Sequence, residues 1–189
     1  TAEELIRYTR KIFTLMLLVC FYALLVALTT TDAQLVTGTL SDPIPISKMK
    51  LPVFWLYAGI PVILLTLYVY FHVNIQRLWE SLSLLPSYFP DGRPVDNVVF
   101  PWIGNAFVRS HLLQLNDKPP LHALQMIVNS FMLWWMVPTT LLFVFGRYLK
   151  VHDWTITYIH IALLTLTVGL AMGFRRLATT TFSTREPKF

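Results

Sequence analysis

Five histidines, His72, His111, His122, His152 and His160, are the side chains of this sequence best suited to proton or metal chemistry near neutral pH. A haem held by two imidazoles needs them at matching depth on facing helices. His72 and His122 both fall near the same end of their apolar runs, and they stand as the candidate cofactor-binding pair. His160 lies about 10 Å from the opposite boundary on its own run, while His72 lies about 30 Å from that boundary, at about 1.5 Å rise per residue. Those two cannot share a haem. The competing reading of His72 and His122 is an ordinary hydrogen-bonded imidazole near a membrane interface, and it asks for less. No HExxH or HxxxH spacing occurs, so no metal site and no cofactor is assigned.

Catalytic signatures are equally thin. No acidic residue lies inside an apolar run, so the carboxylate relays of pumps and proton channels are missing. Cys20 is the single cysteine and sits in the first apolar run, which excludes an internal disulfide or a thiolate cluster. No GxSxG nucleophile signature is present. His152 and Asp153 resemble a dyad on paper, but neighbours at a helix start do not face one another, and Asp153 suits a helix cap. No catalytic residue is assigned, and an enzyme is not expected.

These residues are positioned by four long apolar runs. The central one is Leu51–Pro86: Val53–Val73 carries no charge and is long enough to cross a hydrocarbon layer of about 30 Å. Leu78, Trp79, Leu82 and Leu85 extend its helical spacing past Asn74 and Arg77, which predicts one long second helix protruding from the membrane and ended by Pro86. Pro61 removes one backbone bond within it and is expected to bend it. The first helix is expected over about 2–31, the third span over 121–146 and the fourth over 153–174, ending at Arg175-Arg176. Residues 33–51 read as a loop with short extended pieces, including a small hairpin through Thr37-Gly38-Thr39. The apolar but interrupted segment 95–115 suits a helix lying at the headgroup boundary. Residues 179–189 read as a polar tail or linker.

Composition agrees with a membrane protein. Of 189 residues 55% are hydrophobic and 13% charged, the latter about half the usual share. The chain is basic, with 15 Lys+Arg against 10 Asp+Glu, but the charges sit at the ends of apolar runs, which excludes a nucleic-acid-binding face. With four spans, Lys48, Lys50, Arg147 and Lys150 fall on one side, and all the other basic residues fall on the side of both termini. The positive-inside rule then makes both termini cytoplasmic. The first run is too long, and lacks a small-residue cleavage pattern, to be a signal peptide.

Four residues point to helix packing or a partner interface. Gly169 and Gly173 form a GxxxG spacing that suits an internal helix contact or a dimer. Trp134 and Trp135 sit in mid-span, away from the interface where tryptophan anchors; they fill a core or face another membrane protein or pigment. Asn129, Ser130, Thr139 and Thr140 are too few for the polar stripe of a conducting pore.

Tyr70–Glu80, with Leu85-Pro86 and Phe89-Pro90-Asp91-Gly92-Arg93-Pro94, carries a family resemblance. So do Thr30–Leu35, Arg147-Tyr148-Leu149, His152-Asp153-Trp154-Thr155 and His160. Over nearly the whole chain the sequence resembles the membrane-embedded region at the N-terminus of many bacterial pentapeptide-repeat proteins. The resemblance implies a multi-span module in a bacterial inner membrane, ahead of a cytoplasmic right-handed β-helix, and it carries no catalytic residues. The chain departs from the pattern by showing no A(D/N)LXX pentapeptide before Phe189; either the repeats follow or this is a stand-alone version. The expectation is an all-α integral membrane four-helix bundle with a long protruding second helix and a cytoplasmic interfacial helix. Its expected role is a non-catalytic scaffold that anchors a cytoplasmic domain or serves as an accessory subunit. Its partners would be lipid and other membrane subunits, or further copies of itself. The alternatives are a homo-oligomeric pore or membrane effector assembled through Gly169 and Gly173, and a haem- or pigment-binding subunit of a redox complex.

Overall fold

A computed structural model describes residues 2–38, 40–41, 51–83 and 122–183. The expected interfacial helix over 95–115, and His111, lie outside the described residues. What is described is an all-α bundle with four helices long and apolar enough to cross a membrane.

The helix α1 covers Ala2–Thr29 and is followed by the short α2, Asp32–Thr37. A two-residue strand β1, Leu40–Ser41, pairs antiparallel with β2, Leu51–Pro52. Then comes α3, Val53–Ser83, unbroken through Pro61. The third span is composite. It starts as α4, His122–Ser130, widens into a π-helical stretch at Phe131–Trp135, continues as α5, Met136–Tyr148, and tightens to a 3-10 turn at Leu149–Val151. The last helix, α6, spans Trp154–Ser183.

Why these runs are helical follows from the solvent. Lipid offers no hydrogen bonds, so a crossing segment must satisfy its own backbone, and a helix does this within one segment. At about 1.5 Å per residue the 31 residues of α3 extend for about 46 Å, half again the thickness of a hydrocarbon core. The same holds for α6, with 30 residues, so length does not single out the second helix.

Two expectations about the connections are corrected. The segment after the first span does not turn through a hairpin at Thr37-Gly38-Thr39; residues Asp32–Thr37 are helix. Thr31 Oγ1 accepts from the Gln34 amide at 3.3 Å, and the Thr31 amide donates to Gln34 Oε1 at 2.9 Å, a complete capping box. Gly38, at φ 64°, ends that helix in the left-handed region that a side chain would disfavour. Among the described residues, the expected extended pieces are the β1–β2 pair. The second correction concerns 179–183, expected as the start of a tail. They complete α6, because each threonine there bonds to the carbonyl three or four residues earlier and Thr181 Oγ1 also accepts from Gln76 Nε2 at 2.7 Å.

The π-helical stretch has a local cause. Pro138 has no amide hydrogen, and its ring crowds the carbonyl of Trp134, four residues earlier. Trp134 lies inside the widened turn, which relieves that crowding by one extra residue.

The chain divides into two compact units. One draws on Thr1–Phe13, Tyr70–Trp135 and Ala171–Phe189; its core holds Phe71, Ile75, Leu78, Trp79, Trp134 and Ala178. There Trp79 and Trp134 meet with ring centroids 6.4 Å apart, Phe13 and Phe71 at 5.4 Å. The other draws on Thr14–Val69 and Met136–Leu170, around Met16, Cys20, Tyr57, Leu64, Tyr68 and Val137. Large side chains left exposed, such as Leu18, Phe21, Val62, Ile127 and Leu166, are what a lipid-facing surface requires.

Replacing Thr181 by valine removes the acceptor that holds the end of α6 to Gln76. The expected result is faster amide hydrogen exchange confined to 179–183 with little change in melting temperature; unchanged exchange there would show that this bond does not hold the helix end.

Candidate functional site

Proline inside a crossing helix creates a debt that lipid cannot meet. In α3 the Tyr57 carbonyl would ordinarily accept from the amide of residue 61, but residue 61 is proline and has none. The missing donor comes from α6: His160 Nε2 lies 3.0 Å from the Tyr57 carbonyl oxygen. The imidazole is 3% exposed and lies tilted against Tyr148 and Phe145, with centroids 5.3 and 6.1 Å away. Its Nδ1 lies 2.9 Å from the Ile156 carbonyl oxygen, which already accepts within its own helix. Both ring nitrogens therefore face groups that only accept. A neutral ring donates through one nitrogen, and the Tyr57 carbonyl is where a donor is missing, which assigns the proton to Nε2.

A second set of bonds closes the end of α1. Its last carbonyls have no intrahelical partner. Arg147, in the final turn of α5, donates from Nε to the Ala27 carbonyl at 3.1 Å and from Nη2 to the Thr30 carbonyl at 2.5 Å. The same guanidinium reaches Asp32 Oδ1 through Nη1 at 2.5 Å, and Lys150 Nζ bonds Asp32 Oδ2 at 2.8 Å. A cation at the C-terminus of α1 also opposes the negative end of its dipole. The Lys150 ammonium and the Arg147 guanidinium hold the Asp32 carboxyl below the usual carboxylate range.

In the other unit His72 is buried and stacks on Phe174, with centroids 4.6 Å apart and planes within 18°. His122 opens α4, and its side chain lies outside the described residues. Asn74 Nδ2 donates to the Tyr70 carbonyl at 2.7 Å, and the Tyr8 and Tyr70 hydroxyls bond one another. Trp134 is buried, and Trp135 is half-buried beside it. Gly169 and Gly173 are both exposed, with nothing within 4 Å of where a Cβ would stand. Asp153 is the cap that was expected, and not half of a dyad: its Oδ1 accepts from the Thr155 and Ile156 amides at 3.0 and 3.4 Å at the start of α6, while His152, at φ 58°, turns Nδ1 to the Lys150 carbonyl. Among the described residues, no group of three or more His, Cys, Asp or Glu side chains could hold a metal ion.

Sequence reading missed both main features. It placed His160 by depth alone, although Pro61 already announced an unsatisfied carbonyl. It counted Arg147 as a charge for orientation and not as a cap for α1.

Two measurements test these contacts. His160→Leu leaves the Tyr57 carbonyl buried without a donor and should cost about 1–2 kcal/mol in detergent unfolding. In a Pro61→Ala background, where residue 61 regains its amide, the same substitution should cost clearly less; equal costs would refute the pairing. For Asp32 the sign is that of a depressed carboxyl. Its stabilisation is present above the ordinary value of about 3.9 and disappears as pH falls through the lower folded value. Acid should therefore loosen α2 in the wild type, with faster amide exchange there, and Asp32→Asn should abolish that acid step. Because the pair is exposed, high salt should weaken it.

The chain matches no family model, no curated protein and no solved structure.

Proposed function

We propose that this chain is a non-catalytic integral membrane scaffold, which anchors a cytoplasmic domain or docks as an accessory subunit on a larger membrane complex. The observation that carries the reading is the bond from His160 to the Tyr57 carbonyl. The described span histidine with both nitrogens in bonding contact spends its donor on the backbone of a neighbouring helix, which secures helix position and supplies no reactive group. The polar contacts of Arg147 and Gln76 have the same character. The exposed Gly169 and Gly173 support a lateral partner helix, since small residues allow backbones to approach closely.

In this reading the membrane is a bacterial inner membrane and both termini are cytoplasmic, as the placement of basic residues argues. The resemblance to pentapeptide-repeat proteins supplies the domain to be anchored. Extraction of the chain from native membranes in mild detergent, with partner identification and a visible absorption spectrum, tests the proposal. Co-purifying membrane subunits and a colourless sample are expected. A lone monomer, or a bound chromophore, would overturn it, the latter in favour of a redox subunit.

A further inference from the structure

The outward face of α5 carries a groove of about 420 Å³ lined by Thr139, Leu142, Phe143, Gly146, Arg147 and Lys150. Its lining is almost wholly apolar along the first four of these residues, about 10 Å of helix, and becomes cationic at its head. Gly146 makes the notch: it is exposed, and a Cβ there would meet nothing within 4 Å.

Charge at the head is not balanced. Among the described residues Arg147 and Lys150 share one carboxylate, that of Asp32, two cations to one anion. The nearest other carboxylate in sequence, Asp153, is taken up in capping the N-terminus of α6. The Lys150 side chain is 53% exposed, and each cation has N–H bonds beyond those given to Asp32, Ala27 and Thr30. Exposed Trp154 and Tyr158 follow within a few residues, and aromatic side chains of this kind mark the headgroup level of a bilayer.

We infer that this groove is a binding site for one anionic glycerophospholipid, its phosphate held by Lys150 and Arg147 and one acyl chain lying over Gly146, Phe143 and Leu142. Every lipid-facing helix is covered by acyl chains; what distinguishes this position is a pair of cations at the head of an apolar groove of about 420 Å³. Charge complementarity selects an anionic headgroup over a zwitterionic one, and the notch selects a lipid over a free anion.

The test is native mass spectrometry of the purified full chain in detergent, offered equimolar phosphatidylglycerol and phosphatidylcholine with identical acyl chains. The wild type should retain one phosphatidylglycerol in preference. Lys150→Ala and Lys150→Gln should lower that preference about five-fold, the effect of one basic residue near an anionic surface. Gly146→Leu should lower retention of both lipids by filling the notch, and the open space there lets the variant fold; wild-type melting in lipid-free detergent checks this for each variant. Equal retention of the two lipids by the wild type would overturn the proposal. So would an unchanged preference in both Lys150 variants, displacement of the lipid by millimolar inorganic phosphate, or a second copy of the chain seated at Gly146 instead of lipid.

Discussion

A carbonyl without a donor is the constraint from which this bundle can be understood. In water such a group turns to solvent at little cost. In hydrocarbon it cannot, and an orphaned group costs several kcal/mol. Pro61 puts one such group on α3 at Tyr57, and the donor from α6 meets it in a ring-lined, nearly dry setting. Because apolar side chains are as well solvated by lipid tails as by each other, burial alone does not drive crossing helices together. Directed bonds of this kind, with close packing, are what fix one helix against the next.

The same logic governs the end of α1. Its terminal carbonyls point toward a turn, not a continuing helix, and Arg147 supplies donors from a distant part of the chain. One guanidinium then serves the Ala27 carbonyl of α1, the Thr30 carbonyl just beyond it, and Asp32 at the head of α2. The planar fork of arginine can do this, while the single ammonium of lysine could not reach the carbonyls and the carboxylate together. Lys150 adds a point charge on the far oxygen of Asp32. The arrangement explains why α2 sits where it does without invoking a ligand.

Much of the fold was legible because lipid leaves few choices. Uncharged runs of sufficient length had to be helices, and their limits at Pro52 and Arg147 lay close to visible signals. The short α2 was also written in the sequence, in Thr31 and Gln34 three residues apart, but 33–51 was read as a loop. The extension of α6 was hidden for a related reason: Thr179, Thr180 and Thr181 look like a tail until their hydroxyls are seen bonding to the preceding turn. The partner of His160 was not legible, since a pairing across about a hundred positions leaves no local trace. Its demand was legible, because any proline inside a span names the carbonyl that needs help.

Pro61 and Pro138 show two answers to one problem. At Pro138 the helix itself changes pitch, and a widened turn at Phe131–Trp135 makes room without any polar side chain. That change lies within the span itself. At Pro61 the α-helix continues on both sides of the proline, and the missing donor is supplied by another span. A borrowed donor makes two helices conditional on each other: His160 is useful only while α3 keeps its place, and the Tyr57 carbonyl is satisfied only while α6 keeps its own. Such mutual dependence suits the proposed scaffold, whereas a reactive imidazole would need the opposite, a ring nitrogen left open to a substrate.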